Sequence, residues 1–334
     1  MYSYLSDYLA DLSASHIARL RLVSMLAVLV VGLVSGYLAG SRFGLPEHFA
    51  KKIMTIVLVC FNWLIALLVI WPMQLSRQLI WLPIVGLTLI SVITALSTGI
   101  FYFLEPDRKS RLTLILAAGL SNTGYTGGAF VCYVLFGMAG LAMANIYLLL
   151  SVPAFYLFYL PFLKVHELRA KDRTAALKLD FLLDFRMLVI PAVIAAIILN
   201  LTNIKSPAFI TKFYIIDILV CIASSLSFFA IGLRVKLSRL KNYISLYFLI
   251  AAVKFILTPA VALLIIALLV LAGQNLNGMV QKVIIVLLAT PSAVLMVTMS
   301  NVFDLDGPLA SALWVVTTVI FVAIVVPVLF FLFA

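Results

Sequence analysis

Apolar residues run along this chain in long stretches, separated by short clusters of charge, glycine and proline. A helix that crosses a membrane needs about 20 apolar residues. Read against that length, the pattern predicts spans over Leu22–Gly40, Ile53–Trp71, Leu79–Phe103, Leu112–Gly137, Leu141–Leu163, Met187–Leu201, Phe213–Leu233, Tyr243–Ala272, Val280–Val302 and Leu309–Phe333. The sixth is short and the eighth long. Before the first span, Leu5, Tyr8, Leu9 and Leu12 share a helical face that excludes Asp7 and Asp11. Residues 1–21 therefore suit an interfacial helix or a frayed tail equally.

The fourth run contains its own interruption. Residues 119–130 read GLSNTGYTGGAF, where four glycines with threonine, serine and asparagine make a poor helix. In hydrocarbon each open backbone N–H or C=O costs several kcal/mol, so such a break must face protein or a water-filled cavity. A shift of 167 residues, half the chain, lays spans three to five on spans eight to ten. Phe136 then meets Phe303, Gly140 meets Gly307, Tyr147 meets Trp314 and Ser151 meets Thr318. The break falls on ATPSAV at 289–294, with Thr123 on Thr290 and Gly124 on Pro291. Five spans per half is an odd number, so the halves enter the membrane in opposite directions, the inverted repeat of secondary transporters. The expected fold is all-α and polytopic: ten transmembrane helices in two inverted five-helix repeats, with helices 4 and 9 broken where they cross. Its parts are an N-terminal segment 1–21, repeat one over 22–163, a linker over 164–186 and repeat two over 187–334.

Composition agrees: the 334 residues are 65% hydrophobic and 10% charged, against about 25% charged in a soluble domain. The net charge of +11 could suggest nucleic acid, but its placement points to the membrane. Arg42, Lys51 and Lys52; Arg108, Lys109 and Arg111; six basic residues in 164–186; and Arg234, Lys236, Arg239 and Lys241 all follow odd-numbered spans. Those connections are expected in the cytoplasm, both termini outside, and nucleic acid is not expected as a partner. The linker could also meet anionic lipid. No removable signal peptide pattern precedes the first span. Cys60, Cys132 and Cys221 lie in apolar runs at unrelated spacings, and His16, His48 and His166 in polar segments. Neither set suggests a disulfide framework, a metal site or a cofactor.

The breaks carry the candidate chemistry. Asn122, Thr123, Gly124 and Thr126 in one, with Thr290, Pro291 and Ser292 in the other, offer hydroxyls, an amide and freed backbone groups. Two half-helix N-termini would add positive partial charge. Small residues also serve plain helix packing; two breaks at matching positions favour a binding site. Lys254 is the one charge well inside an apolar span, which suits a carboxylate ligand or a structural lysine bonded to carbonyls. Asn62 lies mid-span and is a candidate for the far wall. Asn145 and Asn301 read as helix–helix hydrogen-bond residues. Of twelve acids only Asp217 falls within a span; Asp304 and Asp306 read as a turn. With no histidine and no acid pair in the spans, an enzyme is not expected, nor is proton coupling through a midplane carboxylate.

SNTGYTGGAF and FGMAGLAMANI, GYLAGSRFGLPEHFAKKI at 36–53, AIGLRVKLSRL at 230–240, KFILTPAVALL at 254–264 and ATPSAVLMVTMSNVFDLD at 289–306 together resemble the auxin efflux carrier family of permeases, of the bile-acid/sodium symporter-like superfamily. The likeness covers nearly all of the chain after residue 20. Span two, VLVCFNWLIALL, lacks the proline expected there. The resemblance implies a carrier that moves a small organic anion, a carboxylate or auxin-like weak acid, by alternating access. It implies a site at the crossing, a mobile unit of spans 3–5 and 8–10, and a scaffold of spans 1, 2, 6 and 7. It leaves open H+ or Na+ as a coupling ion and a homodimer. A sodium-coupled symporter of the bile-acid type is the alternative.

Overall fold

The computed structural model describes residues 23, 27–28, 30–151, 159, 188–233, 244–274, 276–303 and 305–333. The expectations for residues 1–21 and 164–186 and for Asp304 lie outside them. Within the described residues the chain is helical, and its single β pairing is one isolated bridge, between Ser121 and Ser292.

Helix α1 covers 30–42. Helix α2 runs from Glu47–Ile56 through a π turn at Val57–Asn62 into Trp63–Ile70. Helix α3 opens with a 3-10 turn at Arg77–Ile80 and continues over Trp81–Leu104. Helix α4 spans Arg108–Gly119. Gly128–Leu148 divides at Gly137, whose φ of 64° and ψ of −148° leave helical geometry, into α5 (128–136) and α6 (138–148). Then come α7 (Val189–Leu201), the short α8 (Ala208–Lys212) and α9 (Ile215–Gly232). Helix α10 joins Ile244–Ala252 and Thr258–Leu271 through a π turn at Val253–Leu257. Helix α11 is Gly278–Leu288 and α12 is Val294–Val302. Helix α13 joins Gly307–Ile320 and Val326–Phe333 through a third π turn at Phe321–Val325.

Among the described residues six helical stretches, counting Gly128–Leu148 across its kink, are long and apolar enough to cross a membrane: His48–Ile70, Arg77–Leu104, Gly128–Leu148, Ile215–Gly232, Ile244–Leu271 and Gly307–Phe333. The other runs give shorter helices for local reasons. Glycine and proline divide the fourth and ninth, and the sixth is brief in sequence; the first and fifth runs are described only in part. The exterior is oily: Phe103 is 85% exposed, Leu271 83% and Phe331 89%. Apolar surface on this scale needs a nonaqueous neighbour.

The closest helix pairs fall into two groups. Trp63–Ile70 packs along α7, while the rest of α2 packs on α9. Helix α1 lies so close to α9 that a Cβ on Gly36 would stand 2.1 Å from Phe229 O. Gly36 faces Gly232 there, a close crossing that only small residues allow. The second group gathers α3 to α6 with α10 to α13: α3 on α4, α11 on Gly128–Leu148, and α13 on both α4 and α10. Among the stronger pairings, the groups meet chiefly where Trp63–Ile70 lies against Gly128–Leu148.

Candidate functional site

Helices α4 and α11 start alike. Asp107 accepts the Ser110 N–H at 2.8 Å, and Asn277 accepts the Val280 N–H at 2.8 Å. Each side chain satisfies one orphan donor of a first turn. The helices then run 12 and 11 residues and stop for different reasons. After Gly119 the backbone of Leu120 is extended. After Leu288 the chain reaches Pro291, which has no N–H and clashes with a continuing helix.

The two interruptions pair with each other. The Asn122 N–H donates to Pro291 O at 2.8 Å, and the Ala293 N–H donates to Leu120 O at 2.9 Å. Ser121 thus stands opposite Ser292. A buried chain leaving a helix must place its polar groups somewhere, and here each break satisfies the other. Side chains complete the joint. Ser292 Oγ donates to Ala117 O at 2.8 Å, a carbonyl in the last turn of α4, and the Ser292 N–H reaches Thr317 Oγ1 of α13 at 3.3 Å. Thr290 Oγ1 turns back to Leu287 O at 2.8 Å.

The glycine-rich break holds its own shape. Thr126 Oγ1 donates to Asn122 Oδ1 at 2.7 Å, and Asn122 Nδ2 donates to Thr126 O at 3.1 Å. The Gly128 N–H donates to Asn122 O at 2.9 Å. A Cβ at Gly127 would lie 2.0 Å from that same oxygen, so only glycine fits. Tyr125 is buried and anchors the loop to α6, its hydroxyl donating to Asn145 Oδ1 at 2.9 Å. Asn145, expected to bond helix to helix, instead ties its helix to the break. The side chain of Thr123 is buried and makes no hydrogen bond among the described residues.

What remains open is a set of donors. The N–H groups of Gly124, Tyr125 and Thr126, and those of Val294 and Leu295 at the start of α12, have no acceptor among the described residues. Space beside Gly124 is empty, with no atom within 4 Å of where its Cβ would be. Successive free N–H groups in a turn, and at a helix start, are the backbone geometry that receives anions.

Lys254 comes to this joint from α10. It is wholly buried, and its Nζ donates to Leu120 O at 3.1 Å and Ser121 Oγ at 2.8 Å. It sits in the π turn, where Thr258 Oγ1 takes up the freed Val253 O at 2.8 Å. Its bonded partners are neutral oxygens. Of the nine candidate residues, eight come together: Asn122, Thr123, Gly124, Thr126, Thr290, Pro291, Ser292 and Lys254. Asn62 ends the α2 π turn that packs on α9, with Oδ1 buried and without a hydrogen-bond partner among the described residues. The side chain of Asn301 is outside the described residues.

Sequence reasoning passed over Ser121, which belongs to the quoted stretch and receives the lysine. It also passed over Tyr133, whose hydroxyl donates to Asp217; an acid inside an apolar run is itself the sign that a donor lies nearby. Asp306 forms the turn expected of it, capping α13 by accepting the Leu309 N–H at 3.0 Å. No metal-holding cluster of three or more His, Cys, Asp or Glu occurs among the described residues. Compared with models of known protein families and with curated proteins, the chain matches none.

Proposed function

We propose that this protein is a secondary carrier that binds a small organic anion where its two interrupted helices cross. The observation that carries the reading is the joint itself: main chain paired to main chain at Asn122–Pro291 and Leu120–Ala293, open N–H groups beside it, and the buried cation of Lys254 touching it. Non-helical backbone at membrane depth is tolerated only where it is buried in protein or lines a cavity, and the open N–H groups beside the joint suit a cavity that receives a ligand. Donors and a cation without a carboxylate favour an anion, in keeping with the resemblance to auxin efflux carriers.

In this reading the ten apolar runs are ten spans in two inverted repeats. The runs of α4–α5 and α11–α12 are the fourth and ninth spans, and the group of α3–α6 with α10–α13 is the unit that carries the site. Helices α1, α2, α7 and α9 are the scaffold, and Asn62 belongs to it.

The test is transport by purified protein in liposomes on a sensor electrode, with a panel of mono- and dicarboxylates, with and without sodium. Carboxylate-dependent currents that Lys254→Met abolishes support the reading, and the sodium arm identifies or excludes that coupling ion. Equal currents from wild type and variant would remove Lys254 from the site. Silence of the wild type across the panel, in current and in radiolabel uptake alike, would reject the anion.

A further inference from the structure

Helix α9 and the divided α4–α5 belong to different helix groups, yet three contacts join them. Asp217 accepts a hydrogen bond from the Tyr133 hydroxyl. Ser224 Oγ donates to Tyr125 O, in the break itself, at 3.3 Å. The Phe228 ring packs on Phe130 with centroids 5.9 Å apart. Positions 217, 224 and 228 recur at helical spacing on one face of α9.

Asp217 sets this contact apart from ordinary packing. Apart from Glu47 at the start of α2, it is the one acid within a described helix. Its own helix is apolar, and Asp217 stands half-exposed in its first turn, where the N–H end of α9 and the Tyr133 hydroxyl both favour a carboxylate. A phenol donating to a carboxylate is among the stronger neutral-to-ion bonds. The donor, Tyr133, lies on α5, the helix that leaves the break.

We propose that Tyr133 and Asp217 form a latch between the two helix groups, holding the interrupted helix against α9, and that it parts each time the crossover changes its exposure. The proposal rests on the carrier reading for the reason the groups move. The contact, and the order it imposes on α5, do not depend on that reading.

Hydrogen–deuterium exchange of the whole protein in liposomes tests it, with Tyr133→Phe and Asp217→Ala as separate variants. Both are expected to speed exchange of amides 124–136 by about tenfold, as loss of one charge-assisted bond allows, while α7 and the rest of α2 keep wild-type rates. Unchanged exchange at 124–136 in both variants overturns the latch. A rise spread evenly over α7 and α2 also overturns it, because the pair is then only a general support. Carboxylate flux is read on the same samples. If wild type transports, Tyr133→Phe should raise turnover several-fold with KM unchanged, and unaltered turnover counts against the latch. If wild type moves no carboxylate, the carrier reading falls while the exchange result still decides the latch.

Discussion

The Nζ of Lys254 lies 2.8 Å from Ser121 Oγ, so a side chain from α10 fastens the residue at the centre of the crossing. Among the described residues, that bond links a charge with no carboxylate partner to the one place where two helices exchange main-chain hydrogen bonds. The lysine therefore supports the joint as well as lending it charge.

Replacing this cation should separate the two roles. Lys254→Met keeps much of the volume and leaves Leu120 O its bond from Ala293. The expected cost is about 1–2 kcal/mol from the lost bond to Ser121, with carboxylate-driven current abolished. In a double-mutant cycle with Ser121→Ala, the two stability losses should fall short of additivity by about 1 kcal/mol. Denaturation of the four proteins in detergent checks it; strict additivity would mean that the bond contributes nothing.

Gly127→Ala should be more damaging than its size suggests. The new methyl group would meet Asn122 O at 2.0 Å, and that oxygen is fixed by the Gly128 N–H. A loss of at least about 2 kcal/mol is expected, together with loss of transport. Gly124→Ala, with open space beside it, should fold with near wild-type stability. Thermal unfolding of the two variants side by side measures the contrast.

Asp107 gives a pH dependence of defined sign. The Ser110 N–H it accepts holds its carboxyl below the usual value of 3.8. A depressed folded-state value means the stabilisation is complete above the unfolded value and fades as pH falls through the folded one. Asp107→Ala should therefore cost about 1 kcal/mol near neutral pH, and the deficit should shrink below about pH 4. A melting series of both proteins from acid to neutral pH would show the gap closing; a gap that widens in acid contradicts the assignment.

The contact of α1 with α9 predicts a further effect. Gly36→Leu would force the helices apart at Phe229 and Gly232, a contact that none of the eight joint residues makes. It should lower stability by several kcal/mol, about the cost of overpacking a tight interface. Substrate affinity in the fraction that remains folded should be unchanged. Binding to that fraction separates this variant from those at the joint.

Much of the site was legible as chemistry out of place. Glycines and a proline inside apolar runs marked both breaks, and one lysine without an acid marked the residue that joins them. The detail was not legible. A shift of 167 aligns equivalent residues of two segments; it does not say that the segments meet antiparallel, with Ser121 against Ser292 and Asn122 against Pro291. Nor does residue type say where a side chain spends its hydrogen bonds. Asn122, Thr126, Thr290 and Ser292 look like ligands in sequence, yet each is turned to a neighbouring backbone or side-chain atom. The close approach of α1 to α9 did leave a sign, glycines 32, 36 and 40 at every fourth position.

The π turns have a consequence for how the joint can be adjusted. Each stores one surplus residue in an otherwise α-helical rod, and one of them holds Lys254. Such a surplus can be passed along a helix by trading hydrogen-bond partners one at a time, without unwinding it. Each step swings the residue it passes by about 100° and shifts it by about 1.5 Å. Helix α10 thus keeps its surplus residue at the very turn whose lysine reaches the crossing.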